Sequence, residues 1–458
     1  MSSLFGTLSI AVRALQADQG ALNASSNNVA NANTPGYSRQ VPVLVQGDPI
    51  RLNNVTYGTG VVLQKIESLR DPILQIRIQE ETQQQGDLSA FVSGMNQLQV
   101  MFNGNSGNDL GRQFSNFFAS LDQLSTDPSN LSLRQGVLTA GGNLANSFRT
   151  ISQNLTTQRQ NLDLSVKEAV GQVNSLTGQI AKLNGQITQL TNIHEDASSL
   201  IDQRDQLINQ LSGLIDVSNI QSDNNGLTLT TSNGTPLVAG QVSFDLTTQQ
   251  DSSGVYHVYS QGTDVTSKLS SGSLAGMIAV RDQKIPALLT NLDTLAVGFA
   301  DAFNTAHRAG YDLSGAQGGD FFLDPPASGV GAAASMAVAI TDPSQVAASS
   351  DGSPGNNGNV ATLSAVHDQA IVNGQTATDY YAGLVFGVGN DVSDATAQQD
   401  ASQLILNQLQ DQRGSISGVS LDEEAANLIL YQRAYEASAR IVSVINDILE
   451  TTINLGQT

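Results

Sequence analysis

Apolar residues recur every seven positions at both ends of this chain and again in its middle. Near the start, Leu8, Leu15, Leu22 and Val29 form one row, with a weaker row at Leu4 and Ala11. That spacing predicts a helix with one narrow apolar seam, in which Arg13 and Asp18 are the only charges. At the other end the row is Leu421, Leu428, Tyr435, Val442 and Leu449, while Ile441, Ile445 and Ile448 add a second apolar face. Ser420 and Glu423 read as a capping box, Asp422 and Glu424 suit a helix N-terminus, and neither Gly nor Pro interrupts the pattern up to Leu455. One of these seams can pair with the N-terminal helix; the second face still needs a partner.

The third heptad region runs through Phe148, Leu155, Leu162, Ala169, Leu176, Leu183 and Leu190, with a companion row at Val166, Val173, Ile180 and Ile187. This is a coiled-coil pattern. Gly171, Gly178 and Gly185 also recur every seven residues, each costing a helix about 1 kcal/mol relative to Ala. Two readings stand side by side: close approach of another backbone, or tolerated weak spots. Further helices are expected at 200–215, 275–308, 359–373 and 379–412.

Between 216 and 272 the period changes to alternation, and the pairs Asn225-Gly226 and Asn233-Gly234 signal hairpin turns. Residues 310–358 are rich in Gly, Ser, Ala and Pro, so loops and a variable surface are expected, with a short strand near 336–340. The expected fold is mainly α with an inserted β domain. Terminal helices (1–45 with 415–458) would form a coiled coil. A helical body would comprise 46–215, 273–323 and 359–414, with a small β domain at 216–272 and a loop-rich outer segment at 324–358. Patterning normally fades toward chain ends. Here it is strongest there, which is the main functional clue.

The run "NNVANANTPGYSRQ", 27–40, ends the first helix. Asn28, Asn31 and Asn33 belong to a residue type that tolerates left-handed backbone and bonds its own main chain. Pro35 and Gly36 fit the central positions of a type II turn ahead of Tyr37. Proline also disfavours helix at Thr34.

Composition narrows the partners. The net charge of −21 argues against nucleic acid and against anionic membrane surfaces. Charged residues are only 13% of the chain, so the surface is polar but thinly charged, which suits packing against many neighbours. Without cysteine there is no disulfide framework and no thiolate metal site. No apolar run approaches the length of a membrane span, and no Sec signal is expected.

Candidate chemistry is sparse. His194 opens "HEDASS", but Ser198 stands where a zinc-protease helix needs its second histidine. "FNGNSGNDL", 102–110, has one Gly/Asp motif where calcium-binding repeats need several. Asp202, Arg204 and Asp205 cluster without a supporting acid, base or Gly-rich loop, so ion pairing is the expected role. No P-loop, dinucleotide fingerprint or G-x-S-x-G occurs. No catalytic residue, metal or cofactor is therefore expected.

The stretches "SSLFGTLSIAVRALQADQGALNASSNNVANANTPGYSRQ" and "LDEEAANLILYQRAYEASARIVSVINDILETTINL" resemble the terminal signatures of bacterial flagellar rod, hook and hook-associated proteins. "DPSNLSLRQGVLTAGGNLANSF", "LIDQRDQLINQLSGLIDV" and "RDQKIPALLTNLDTLAVGFADAFNTAHRAGYDLSGAQGGDFF" resemble the hook-associated protein 1 family in particular. The resemblance covers most of 1–215, 273–323 and the last 80 or so residues. It implies a structural subunit at the junction of hook and filament, exported unfolded through the flagellar type III channel without a cleaved signal. Its terminal helices would line the inner tube of the axial structure. The implied partners are copies of itself in a ring, hook protein, hook-associated protein 3, transiently the filament cap protein, and a flagellar export chaperone. Another axial role, as hook or distal rod, would place β structure directly after the N-terminal motif. An enzyme carried on an axial scaffold would need a site that the residues do not supply.

Overall fold

The computed structural model describes residues 2–52, 55–102, 109–193, 195–221 and 227–455. The fold is mainly α with several small sheets, and it divides into two compact units, each drawn from distant parts of the sequence. Met1–Gln83, Gln172–Asp245 and Ser402–Thr458 make the first; Gln84–Gly171 and Leu246–Ala401 make the second.

In the first unit, helix α1 (Ser2–Asn31) is followed by strands β1 (Gln40–Gln46), β2 (Ile50–Leu52), β3 (Val55–Tyr57) and β4 (Val61–Ser68). β1 pairs antiparallel with β4, and β2 with β3. Val41, Val43 and Val45 are β-branched and suit a strand, but Pro42 and Leu44 stand between them, so no apolar–polar alternation marks this ribbon within a segment expected to be helical from 46. It lies on α1, and Gly20 is what permits the approach: a Cβ there would sit 2.3 Å from Leu63 Cδ2. Helix α2 (Pro72–Phe102) begins in this unit and ends in the other. Sequence periodicity misses it because buried Gln79 and Gln83 occupy positions an apolar residue would mark. Gln83 Nε2 donates to Val217 O at 2.9 Å, which offsets the cost of that burial.

Helix α3 (Leu110–Thr126) is capped by Asp109, whose side chain accepts from Gly111 N. It falls within the helical body expected over 46–215 but was not singled out as a helix there, although Leu110, Phe114, Phe117, Leu121 and Leu124 fall at helical spacing and are fully buried. Helix α4 (Leu131–Asn192) carries the expected central heptads. Phe148, Leu155 and Leu162 are buried in the second unit, whereas in the first unit the buried row is Val173, Ile180 and Ile187. Gly171 and Gly178 face open space and so serve no close approach among the described residues; Gly185 abuts Gln241.

Helix α5 (Ser198–Ser212) completes the expected 200–215 element. The alternating segment then forms two sheets rather than one. Strands β5 (Ser218–Gln221), β6 (Leu227–Thr230), β7 (Pro236–Ala239) and β8 (Val242–Ser243) pair in sequence order within the first unit. β9 (Leu246–Gln250), β10 (Tyr256–Ser260) and β11 (Thr263–Asp264) form an antiparallel sheet within the second. The Asn233-Gly234 turn joins β6 to β7 with Gly234 at φ 81°. The other expected turn, Asn225-Gly226, lies outside the described residues.

The second unit's core is built on phenylalanine. Helices α6 (Gly272–Ala279) and α7 (Ile285–Arg308) are joined by a π-helical turn, Val280–Lys284. Phe299 and Phe303 of α7 meet Phe114 and Phe117 at ring-centroid separations of 4.9 and 5.0 Å. Buried Arg281 bonds Asp163 at 2.7 Å and Tyr256 O at 2.8 Å, tying β10 to α4. The segment expected as loops and surface is irregular apart from α8 (Ala332–Ser335) and a 3-10 turn at Pro343–Gln345, but much of it is interior. Phe321, Phe322, Val346, Ala347 and Ala348 are fully buried. His307 of α7 pins it: Nδ1 donates to Gly319 O at 2.7 Å, and Nε2 accepts from Ala347 N at 2.9 Å. The strand expected near 336–340 is reduced to one bridge, Phe322 to Val338, because the backbone there bonds a loop and not a sheet. Helices α9 (Gly358–Ala365), α10 (Ala377–Ser417) and α11 (Leu421–Leu455) complete the chain. Among the described residues no helix is long and apolar enough to cross a membrane.

Candidate assembly site at the paired termini

Within the first unit α1 and α11 pack side by side. The buried face of α1 consists of small residues: Ala11, Ala17, Ala21, Ala24, Ser25 and Asn28. Leu8, Leu15 and Leu22 flank this face and are half-buried, while Val29 is exposed. The leucine row therefore flanks the most buried face of α1, which is lined by alanine. Alanine spacing of three and four residues, at 14, 17, 21 and 24, was the signal that would have found it. On α11 the residues turned toward α1 include Leu428, Val442, Ile445 and Leu449, and Ser438 Oγ donates to Asp18 Oδ2 at 3.4 Å. Tyr435 is partly exposed, and Leu421 is mostly exposed.

A second apolar stripe stays uncovered. Leu430, Ile441, Val444 and Ile448 lie on one side of α11, about a third of a turn from the face that meets α1. Their exposures run from 43% to 61%. On α1, Phe5 and Val12 are exposed at a seven-residue spacing. Lone exposed apolar residues are ordinary, whereas these four share one side of the helix over about five turns.

The asparagine-rich turn anchors this pair. Asn28 is buried and makes three bonds: Nδ2 donates to Gln40 O at 2.8 Å, and Oδ1 accepts from Gln40 N at 2.8 Å and Tyr37 Oη at 2.9 Å. One carboxamide thus fixes the chain's exit from α1 into β1. Asn31 Nδ2 donates to Asn27 O, and Asn31 Oδ1 accepts from Thr34 Oγ1. Asn33 and Pro35 are exposed. Gly36 has φ 84° and Tyr37 N donates to Thr34 O at 3.2 Å, the type II turn that Pro-Gly implied. Burial, together with Asp202, Glu424 and Asp196, pushes the Tyr37 hydroxyl up to about 12, so it stays a donor to Asn28.

Ion pairs clamp the turn from two sides. Arg39 Nε donates to Glu424 and Nη1 to Glu423, both at 2.7 Å. Burial works against the Arg39 charge, but these bonds hold its pKa above the ordinary value. The capping box is half realised. Glu423 N donates to Ser420 Oγ at 3.4 Å, while the Glu423 carboxylate turns to Arg39. Asp202 accepts from Ser38 N and Oγ and from Arg70, and Arg413 Nη2 donates to Gly36 O at 2.7 Å. Arg39, Asp202 and Arg413 are structural partners that heptad reasoning did not single out for this site. The carboxylates of 202 and 205 serve ion pairs, Asp205 with Arg204 at 3.7 Å. His194 and the 103–108 part of the Gly/Asp run lie outside the described residues.

Comparison with known proteins reproduces this organisation. Residues 8–37 match the model of the flagella basal body rod protein family, and 412–455 that of the flagellar basal body rod FlgEFG protein C-terminal family. Paired terminal helices of these two families define a flagellar rod-type chain. Residues 95–322 match the flagellar hook-associated protein FlgK helical domain. Flagellar hook-associated protein 1 of Bacillus subtilis (strain 168) is 33% identical over 500 residues, covering 99% of each chain. That of Escherichia coli (strain K12) is 28% identical, covering 99% of this chain and 100% of the relative. The solved flagellar hook junction protein FlgK from Burkholderia pseudomallei has a similar fold, with TM-score 0.66 at 18% identity, covering 74% of this chain and all of that one. The chain belongs to the flagellar hook-associated protein 1 family.

Proposed function

We propose that this chain is a structural subunit of the bacterial flagellum, assembling at the hook tip and joining hook to filament. The observation that carries the reading is the uncovered apolar stripe on α11, beside a termini pair whose sequence is that of flagellar rod-type proteins. A helix pair with one face closed and another open is suited to packing against neighbours. The primary partners in this reading are copies of the chain in a ring, with hook protein on one side and hook-associated protein 3 on the other. The filament cap protein is a transient contact, and an export chaperone holds the chain before it leaves through the flagellar type III channel. Leu8, Leu15, Leu22, Leu428, Val442 and Leu449 hold the helix pair together in this account. The stripe of Leu430, Ile441, Val444 and Ile448 faces the next subunit. The role is that of a scaffold and not of an enzyme. The match of 95–322 to the hook-associated helical domain favours a junction subunit over a hook or distal rod subunit. Electron microscopy of a strain lacking the gene tests this. Hooks without filaments are the expected result; filaments of normal length on those hooks would overturn the assignment.

A further inference from the structure

A cavity of about 360 Å³ opens in the first unit beside the Pro35-Gly36 turn, between the start of α2, helix α5 and the end of α10. Three arginines and three carboxylates line it: Arg70, Arg204, Arg413, Asp71, Asp202 and Asp205. Their charges are not equally available. Asp71 accepts from Ile73 N and Leu74 N at the start of α2. Asp202 is taken up by Ser38 and by Arg70, whose Nη2 also bonds Ser198 O. The lining is therefore neutral in formal charge, but Arg204 and Arg413 keep donors that neither Asp71 nor Asp202 takes up.

Arg204 is the telling residue. It is more than nine-tenths buried; Nη1 bonds Asn184 Oδ1 at 3.3 Å, but buried Nε has no hydrogen-bond acceptor among the described residues. The Asp205 carboxylate stands 3.7 Å away, beyond hydrogen-bond reach. Burial pushes the Asp205 carboxyl up and the Arg204 guanidinium down, so the pair only partly compensates itself. Among the described residues Arg413 has one hydrogen-bond acceptor, Gly36 O, for its fork of donors. An unpaired buried guanidinium donor is costly, and a carboxylate is the planar acceptor that matches it. We propose that this cavity binds a carboxylate, supplied in the assembled junction by an Asp or Glu side chain of a second copy of this chain. The chain has 41 acidic residues against 20 basic ones, so a neighbouring copy brings carboxylates far more often than any other charged group. The inference rests on the junction reading only for the source of the carboxylate.

The test uses the full-length monomer, with glutarate as the probe and the arginine Nε–H signals read by NMR. The Arg204 signal should shift saturably with glutarate and stay still with sodium chloride at matched ionic strength. No shift, or an equal shift with chloride, overturns the cavity while leaving the junction reading intact. Gln206 sits exposed at the rim, so Gln206→Glu should spare the fold and weaken glutarate binding by about tenfold through like-charge repulsion. Unchanged affinity counts against the site. The same variant should incorporate poorly at the hook tip. Normal incorporation would show that no second copy supplies the carboxylate, and would overturn that half of the proposal. A wild-type chain that binds glutarate yet never reaches the hook tip supports the cavity and overturns the junction reading.

Discussion

Replacing Asn28 by Ala removes a group that holds three buried partners at once. Gln40 loses both its carbonyl donor and its N–H acceptor, and Tyr37 Oη loses its acceptor. Gln40 is buried, so its main-chain groups gain little water in exchange. A buried polar group left unpaired costs about 1–3 kcal/mol, and local relaxation lets some water in, so a net loss of about 2–4 kcal/mol is expected for the α1-to-β1 connection. That corresponds to roughly a thirtyfold to thousandfold rise in local opening. Tyr37→Phe removes one bond of the three and should cost only about 1 kcal/mol. Because the chain has two units, a single melting temperature is a poor gauge of a local change. The better reporter is amide exchange at Gln40 N–H, compared with an α7 amide such as that of Phe299, which should not change. Equal Gln40 exchange in wild type and Asn28→Ala would refute the argument that this carboxamide fixes the exit from α1.

Three further outcomes follow from the same geometry. Gly171→Ala and Gly178→Ala, each with free space at the new Cβ, should raise resistance to urea by up to about 1 kcal/mol; loss of stability would mean that a neighbour occupies that space. Burial pushes the His307 pKa below its ordinary 6.5, with Arg134 adding to the effect and the Gly319 bond and Asp320 opposing it. Below pH 6.5 the unfolded chain therefore binds a proton that the folded chain refuses, so stability falls as pH drops from 7 toward 5. His307→Gln should be less stable at pH 7 yet lose less on acidification, and an unchanged pH slope in urea titrations would contradict this. Finally, amide exchange of the monomer should be faster along α11 than along α7, since α11 closes only one of its faces; equal protection would argue for an intrachain cover.

Heptads are legible because a packed seam repeats with the helix, whatever it packs against. They located α1, α4 and α11, and the Pro-Gly turn was visible from backbone preference alone. The most buried face of α1 was obscured because alanine carries little hydrophobic signal. α2 was obscured for a related reason: Gln79 and Gln83 are buried through hydrogen bonds and not through apolarity. The clamp of Asp202 on Ser38, and of Glu424 on Arg39, links residues 164 and 385 positions apart. Long-range pairing of that kind leaves no periodic trace. The burial of 321–322 and 346–348 was unreadable for the opposite reason, since a Gly- and Ala-rich loop looks like surface until Arg134 and His307 are seen holding its carbonyls and amides.

The central claim is that the open stripe of α11 faces the next subunit, and Val444→Asp tests it most directly. Val444 is 55% exposed, so the charge should change monomer stability by no more than about 0.5 kcal/mol. Leu162→Asp, by contrast, places a charge in the buried α4 seam and should unfold the second unit. The decisive measurement is the amount of Val444→Asp protein recovered on purified hooks, set beside its melting curve as a monomer. The account predicts a wild-type melting curve and hooks that lack both the subunit and the filament. Wild-type incorporation with normal filaments would contradict it, and the stripe would then have to be an exposed face with no subunit against it.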